Sequence, residues 1–192
     1  VEIQGLRTVD GDRTNITYYS DVRIEDRYRI GDVNGGWTVL REALNDEHGT
    51  VERGADGLQK VAVMSEHVLQ LAEAVDKVAP LTADEESVKY RLGRSIARME
   101  AAMSTPDMFG RVANAQVMRD VSPDLMDILG VASSLPVDEK GAVGDGGAEY
   151  VFRLAGPTGI YGGTLEVFRN MIAQHALGLG RPNYSPPVKK GS

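Results

Sequence analysis

Apolar residues recur at helical spacing over most of the chain. Val61, Met64, Val68, Leu71, Val75 and Val78 follow one another at steps of 3, 4, 3, 4 and 3. That spacing places them in one seam along a helix face. Pro80 is the expected end of this helix, because proline has no N–H for the next turn. Val88, Leu92, Ile96, Met99 and Met103 form a second stripe that ends near Thr105-Pro106. Met118, Val121, Leu125 and Ile128 form a third. Ser122-Pro123-Asp124 inside it is a helix-start signal, so a break or kink is expected there. Seams of this kind bury one another, as in antiparallel bundles.

The two ends follow other patterns. Ile3, Leu6 and Val9 are spaced among polar residues, Asp10-Gly11-Asp12-Arg13 has turn chemistry, and Ile16, Tyr18, Tyr19, Val22 and Ile24 form a β-rich run. Two strands are not stable alone, so this piece belongs to a larger sheet or packs on the helices. Gly31 to Gly36 is a loop, and Trp37 opens the helical part. Residues 133–147 read as loop, Ala148 to Leu154 as a short helix, and Thr164 to Leu177 as the last one. Leu165, Phe168 and Ile172 face inward on that helix, and Gly178 stops it. Three of the eight prolines fall in Arg181 to Ser192, which is expected to be loose.

Composition narrows the chemistry. With 192 residues, 42% hydrophobic and 26% charged, the chain suits an ordinary globular domain. A net charge of −7 disfavours nucleic acid as a partner. No apolar stretch approaches the about 20 residues of a membrane span, and no signal peptide is evident, so the cytoplasm is the expected location. The absence of cysteine removes disulfides and thiolate chemistry. His48, His67 and His175 have no metal-ligand spacing, so no metal is expected. The serines lack a nucleophile-elbow context. Arg91, Arg94 and Arg98 make a basic helix face suited to solvation, to pairing with Asp84, Glu85 or Glu86, or to contact with a neighbouring subunit or the phosphates of its ligand.

The richest segment is Gly156-Pro157-Thr158-Gly159-Ile160-Tyr161-Gly162-Gly163-Thr164-Leu165-Glu166-Val167-Phe168-Arg169-Asn170. A Gly-Gly pair lets main chain approach a ligand closely. Thr164 can cap the following helix, whose first amides favour an anion or a ring carbonyl. A tight turn before a capped helix accounts for the same residues.

Tyr161, Gly163, Thr164, Glu166, Arg169-Asn170 and Leu177-Gly178-Leu179-Gly180-Arg181 together resemble the C-terminal signature of acyl-CoA dehydrogenases. Asp21-Val22-Arg23-Ile24, Gly31 and Gly35-Gly36-Trp37 resemble, in order, that family's junction between its middle β-domain and its helical domain. The resemblance implies a mainly α fold. It would be the C-terminal four-helix-type bundle (32–181) behind a two-strand remnant of the β-domain (1–31), with a flexible tail (182–192). It also implies FAD as cofactor, an acyl-CoA substrate in fatty acid metabolism, and α,β-desaturation that is incomplete without an N-terminal half. Assembly into homo- or hetero-oligomers through the helices and an electron acceptor protein are expected as well.

Residue by residue, the likeness assigns Thr164 and Glu166 to FAD contact, and Tyr161 and Gly162 to the acyl thioester. Many members carry their catalytic Glu where this chain has Gly162. A minority carry it on the first long helix, in a string similar to Leu44-Asn45-Asp46-Glu47-His48, which makes Glu47 the candidate base. His48 stands where that string usually has Arg, a permanent cation that assists a carboxylate more than neutral His does. The other reading of Glu47 is a solvated helix carboxylate. The family's Arg-x-x-Phe-Gly string is missing, and its Gly-Gly pair after the third core helix is reduced to Gly130. These departures motivate an alternative, a non-catalytic partner subunit or helical interaction module.

Overall fold

In a computed structural model of the chain, residues 1–47, 65–82 and 84–181 are described, with 45–47 and 107 by main chain only. The chain is mainly α. An antiparallel hairpin, β1 (Glu2–Arg7) and β2 (Arg13–Tyr18), pairs Glu2 with Tyr18 and Arg7 with Arg13. Then come α1 (Gly36–Glu47), α2 (Ser65–Thr82), α3 (Glu86–Met103), α4 (Asp107–Leu129), α5 (Gly147–Thr158) and α6 (Leu165–Met171). A π-helical turn, Ile172–Ala176, extends α6.

The core lies where α2, α3, α4 and α5 meet, and α4 also touches α6. Val68, Leu71, Val75 and Val78 of α2 are buried against Leu92 and Met99 of α3, Met118, Val121 and Leu125 of α4, and Val151 and Leu154 of α5. Each such side chain contributes about 1.5–3 kcal/mol on leaving water. Val61 and Met64, expected in the same seam, lie outside the described residues, as does the tail beyond Arg181.

Several local expectations are corrected. Pro80 does not end its helix, because α2 continues to Thr82, whose hydroxyl donates to the Val78 carbonyl at 3.1 Å. Pro123 does not break α4, which runs through it with Val121 and Leu125 both buried. Packing on either side outweighs the one hydrogen bond a proline removes. Ile96 is 44% exposed, and the buried stripe of α3 passes instead through Ser95, whose hydroxyl donates to the Arg91 carbonyl. Strand pairing stops at Tyr18, so Val22 and Ile24 are not in the sheet. The helix expected at Ala148 to Leu154 runs on to Thr158 and absorbs Gly156 and Pro157. Short 3-10 turns at Gly130–Ser134 and Val143–Gly146 break up the 133–147 loop.

Arg91, Arg94 and Arg98 pair across to α4, not with Asp84, Glu85 or Glu86. Arg91 Nε donates to Asp124 at 3.0 Å and Arg91 Nη2 to Asp127 at 2.7 Å, while Arg98 bonds Asp120. These bonds sew α3 to α4.

Candidate functional site: a glycine turn facing the first helix

Beyond the end of α5, the chain makes a turn from Gly159 to Thr164 and re-enters helix at Leu165. Leu165 donates its amide to the Gly159 carbonyl at 3.2 Å, closing the turn. Gly162 and Gly163 sit at φ of +63° and +99°, a region that side-chain-bearing residues avoid. A Cβ on Gly163 would stand 3.0 Å from the Phe168 ring. Thr164 caps α6, its hydroxyl accepting from Val167 N–H at a long 3.4 Å. The amides of Gly162, Gly163 and Thr164 donate to no acceptor among the described residues.

Arg111 of α4 lies under this turn, 2% exposed. Its Nη2 donates to the carbonyls of Tyr161 at 2.8 Å and Gly163 at 3.2 Å. Its guanidinium stands 5.1 Å from the centroid of the Phe168 ring. Desolvation lowers its pKa below the ordinary arginine value.

The Tyr161 hydroxyl is hydrogen-bonded to His67 Nε2 on α2, the two rings meeting edge to face at 6.0 Å. Burial pushes the Tyr161 phenol up to about 12, helped by the negative charges of Asp10 and Glu66. Burial lowers His67. Asp10 is itself buried in the hairpin turn, whose Val9 carbonyl accepts from Arg153 of α5 at 3.2 Å. This contact seats the hairpin on the bundle.

Across from the turn stands α1. Trp37, Thr38, Leu40, Arg41 and Leu44 line one side of a cleft of about 770 Å³, and Gly162, Gly163, Val167, Phe168 and Met171 the other. The volume falls within the roughly 300–1,000 Å³ typical of ligand sites. Trp37 is 84% exposed, so α1 is not buried against the bundle at this point.

Of the residues predicted for the site, Gly162 lines the cleft. Tyr161 holds its main chain on Arg111 and its hydroxyl on His67. Thr164 and Glu166 flank the turn without lining the cleft, and Glu166 is exposed beside Arg169 at 3.6 Å. Its own amide and the Thr164 side chain lower the Glu166 carboxyl. Glu47 is the last residue of α1, three beyond Leu44, and its side chain lies outside the described residues, as does all of His48. Sequence reasoning missed Arg111 and the Tyr161–His67 contact. The signal for Arg111 is its register, seven residues before buried Met118 and fourteen before Leu125. Among the described residues no His, Asp and Glu cluster is arranged to hold a metal.

No family model matches the chain. The acyl-CoA dehydrogenase FadE26 of Mycobacterium tuberculosis is 28% identical over 197 residues, covering 93% of this chain and 48% of that protein. The acyl-CoA dehydrogenase IpdE1 of Mycolicibacterium smegmatis is 28% identical over 193 residues, covering 94% of this chain and 46% of its own. Both relatives are acyl-CoA dehydrogenases, and each matches more than nine-tenths of this chain. Among solved structures, the ChsE4-ChsE5 complex of M. tuberculosis matches with a TM-score of 0.76 at 26% identity, over 95% of this chain and 50% of that one. The Tcur3481-Tcur3483 steroid ACAD matches at 0.73 and 26%, over 95% and 49%. The chain thus spans about half the length of the acyl-CoA dehydrogenases it matches, and its bundle corresponds to their C-terminal helical domain.

Proposed function

We propose that this chain supplies the C-terminal half of a flavin-dependent acyl-CoA dehydrogenase, and that its cleft holds the reacting end of an acyl-CoA thioester beside FAD. The observation that carries the reading is the bare main-chain wall at Gly162 and Gly163, facing Trp37 and Leu44. Three successive amides there have no acceptor among the described residues, which suits a flat ring rich in acceptors. Gly162, Gly163 and Phe168 would hold that ring, with Thr164 and Glu166 at its margin. When bound, FAD supplies the acceptor for the hydride leaving the substrate β-carbon.

The protein's own part is to orient the thioester and remove the α-proton. That proton is weakly acidic, and a carboxylate in an apolar pocket becomes a stronger base. Gly162 has no side chain to act. Glu47 follows Trp37, Leu40 and Leu44 at helical steps of 3, 4 and 3, which makes it the base in this reading. Tyr161 and Gly162 shape the place of the thioester. Apolar residues exposed along residues 1–44, among them Ile3, Ile24 and Trp37, favour cover by other protein in a homo- or hetero-oligomer.

In the full-length or reassembled enzyme, Glu47→Gln should lower turnover by about 10²–10⁴ while flavin content is retained. Near-parental turnover would remove Glu47 from the mechanism. A second reading is a non-catalytic partner subunit, favoured by Gly162 and by the paired composition of the ChsE4-ChsE5 complex. It expects no desaturation attributable to this chain, so that Glu47→Gln has nothing to remove.

A further inference from the structure

Arg111 is a costly residue in its place. A guanidinium buried to 2% exposure loses its hydration, and no carboxylate pairs with it among the described residues. Its Nε and Nη1 have no hydrogen-bond partner there. Its register with Met118 and Leu125 would accept an apolar side chain of similar length, so filling space does not explain a cation. What the cation does is draw two carbonyls, of Tyr161 and Gly163, onto one nitrogen. Gly162 lies between them, and both glycines have positive φ. The same ring that Arg111 faces, Phe168, abuts Gly163 from its other contact.

We propose that Arg111 is a positioning residue that clamps the Tyr161–Gly163 turn from beneath, so that the amides of Gly162, Gly163 and Thr164 stay available to an electron-rich ligand in the cleft. The ligand part rests on the flavin reading above, whereas the clamp stands on the geometry alone. Both carbonyls are committed to α4, so the turn cannot rotate its peptides without leaving a buried cation with no acceptor, which costs more than losing an ordinary hydrogen bond. The hold of His67 on the Tyr161 hydroxyl fixes the same residue at its far end.

Amide hydrogen exchange on this chain, read residue by residue by NMR, tests the clamp. The Leu165 amide is the reporter, because its bond to the Gly159 carbonyl closes the turn. Arg111→Met should speed exchange at Leu165 by about tenfold or more, while the amides of Leu92 and Met99 in α3 keep their parental rates. Arg111→Lys, with the charge but only a point donor, should recover part of the protection. Unchanged exchange at Leu165 in Arg111→Met overturns the proposal, and so does acceleration of equal size in α3. Should Arg111→Met not fold, Arg111→Lys decides alone: a rise confined to the turn supports the clamp, and no rise there overturns it. No flavin enters this measurement, so its failure leaves the proposed reaction standing, and failure of the Glu47 experiment leaves the clamp standing.

Discussion

Two glycines, one in a turn and one inside a helix, should respond oppositely to the same added methyl group. Gly163 sits at φ +99°, and its new Cβ would stand 3.0 Å from Phe168 Cε2. Placing an L-residue in the left-handed region costs roughly 1–2 kcal/mol before any contact is considered. Phe168 is 7% exposed and stacked against the Arg111 guanidinium, so it has little room to retreat. Small overpackings of this kind add about 1 kcal/mol or more. Gly163→Ala should therefore destabilise the chain by roughly 2–3 kcal/mol. Gly93 is exposed in the interior of α3, with nothing within 4 Å of its would-be Cβ. Gly93→Ala should stabilise by about 0.5–1 kcal/mol, because alanine gives up less backbone freedom in a helix. Urea unfolding followed by circular dichroism compares the two variants with the parent at unchanged slope. If Gly163→Ala matched the parent midpoint, the turn would not have the conformation described. A loss of stability in Gly93→Ala would show that generic sensitivity to added bulk, not φ, governs both.

Leu125 is fully buried in the C-terminal part of α4, so Leu125→Ala should cost roughly 3–5 kcal/mol in the same assay; a loss under 1 kcal/mol would move the core away from α4. His67 has a pKa below its ordinary value because of burial, with Arg111 acting in the same direction and Glu66, Asp12 and Asp10 opposing. The unfolded chain then takes up the His67 proton first, so stability is fully present above about pH 6.5 and declines as the pH falls from there to the folded pKa. Melting temperatures at pH 7.5 and 5.5 should differ less in His67→Gln than in the parent, and equal differences would remove His67 from the account.

What the sequence disclosed and what it hid follow from the kind of information each feature carries. The seam Val68, Leu71, Val75 and Val78 was legible because four aliphatic residues at helical spacing have one economical place to go. The α3 stripe slipped at one position: steps through Ile96 and through Ser95 are both helical, and the deciding fact is a hydroxyl bonded to its own helix at Arg91. Pro123 sent a true local signal that long-range packing of Val121 and Leu125 overrode. The family-like motifs lie at Trp37 and at Gly162, but spacing within either segment says nothing of a cleft between residues more than a hundred positions apart. Arg111 was hidden for a deeper reason. Reading by hydrophobicity sorts residues into core and surface, and it assigns every arginine outward. A cation whose partners are main-chain carbonyls of a distant turn leaves no pattern in side-chain polarity, because carbonyls belong to every residue. The one trace is that an arginine occupies a heptad register otherwise held by Met118 and Leu125. A charged residue in register with a buried stripe is therefore worth asking which main chain it holds, and here the answer is the wall of the cleft.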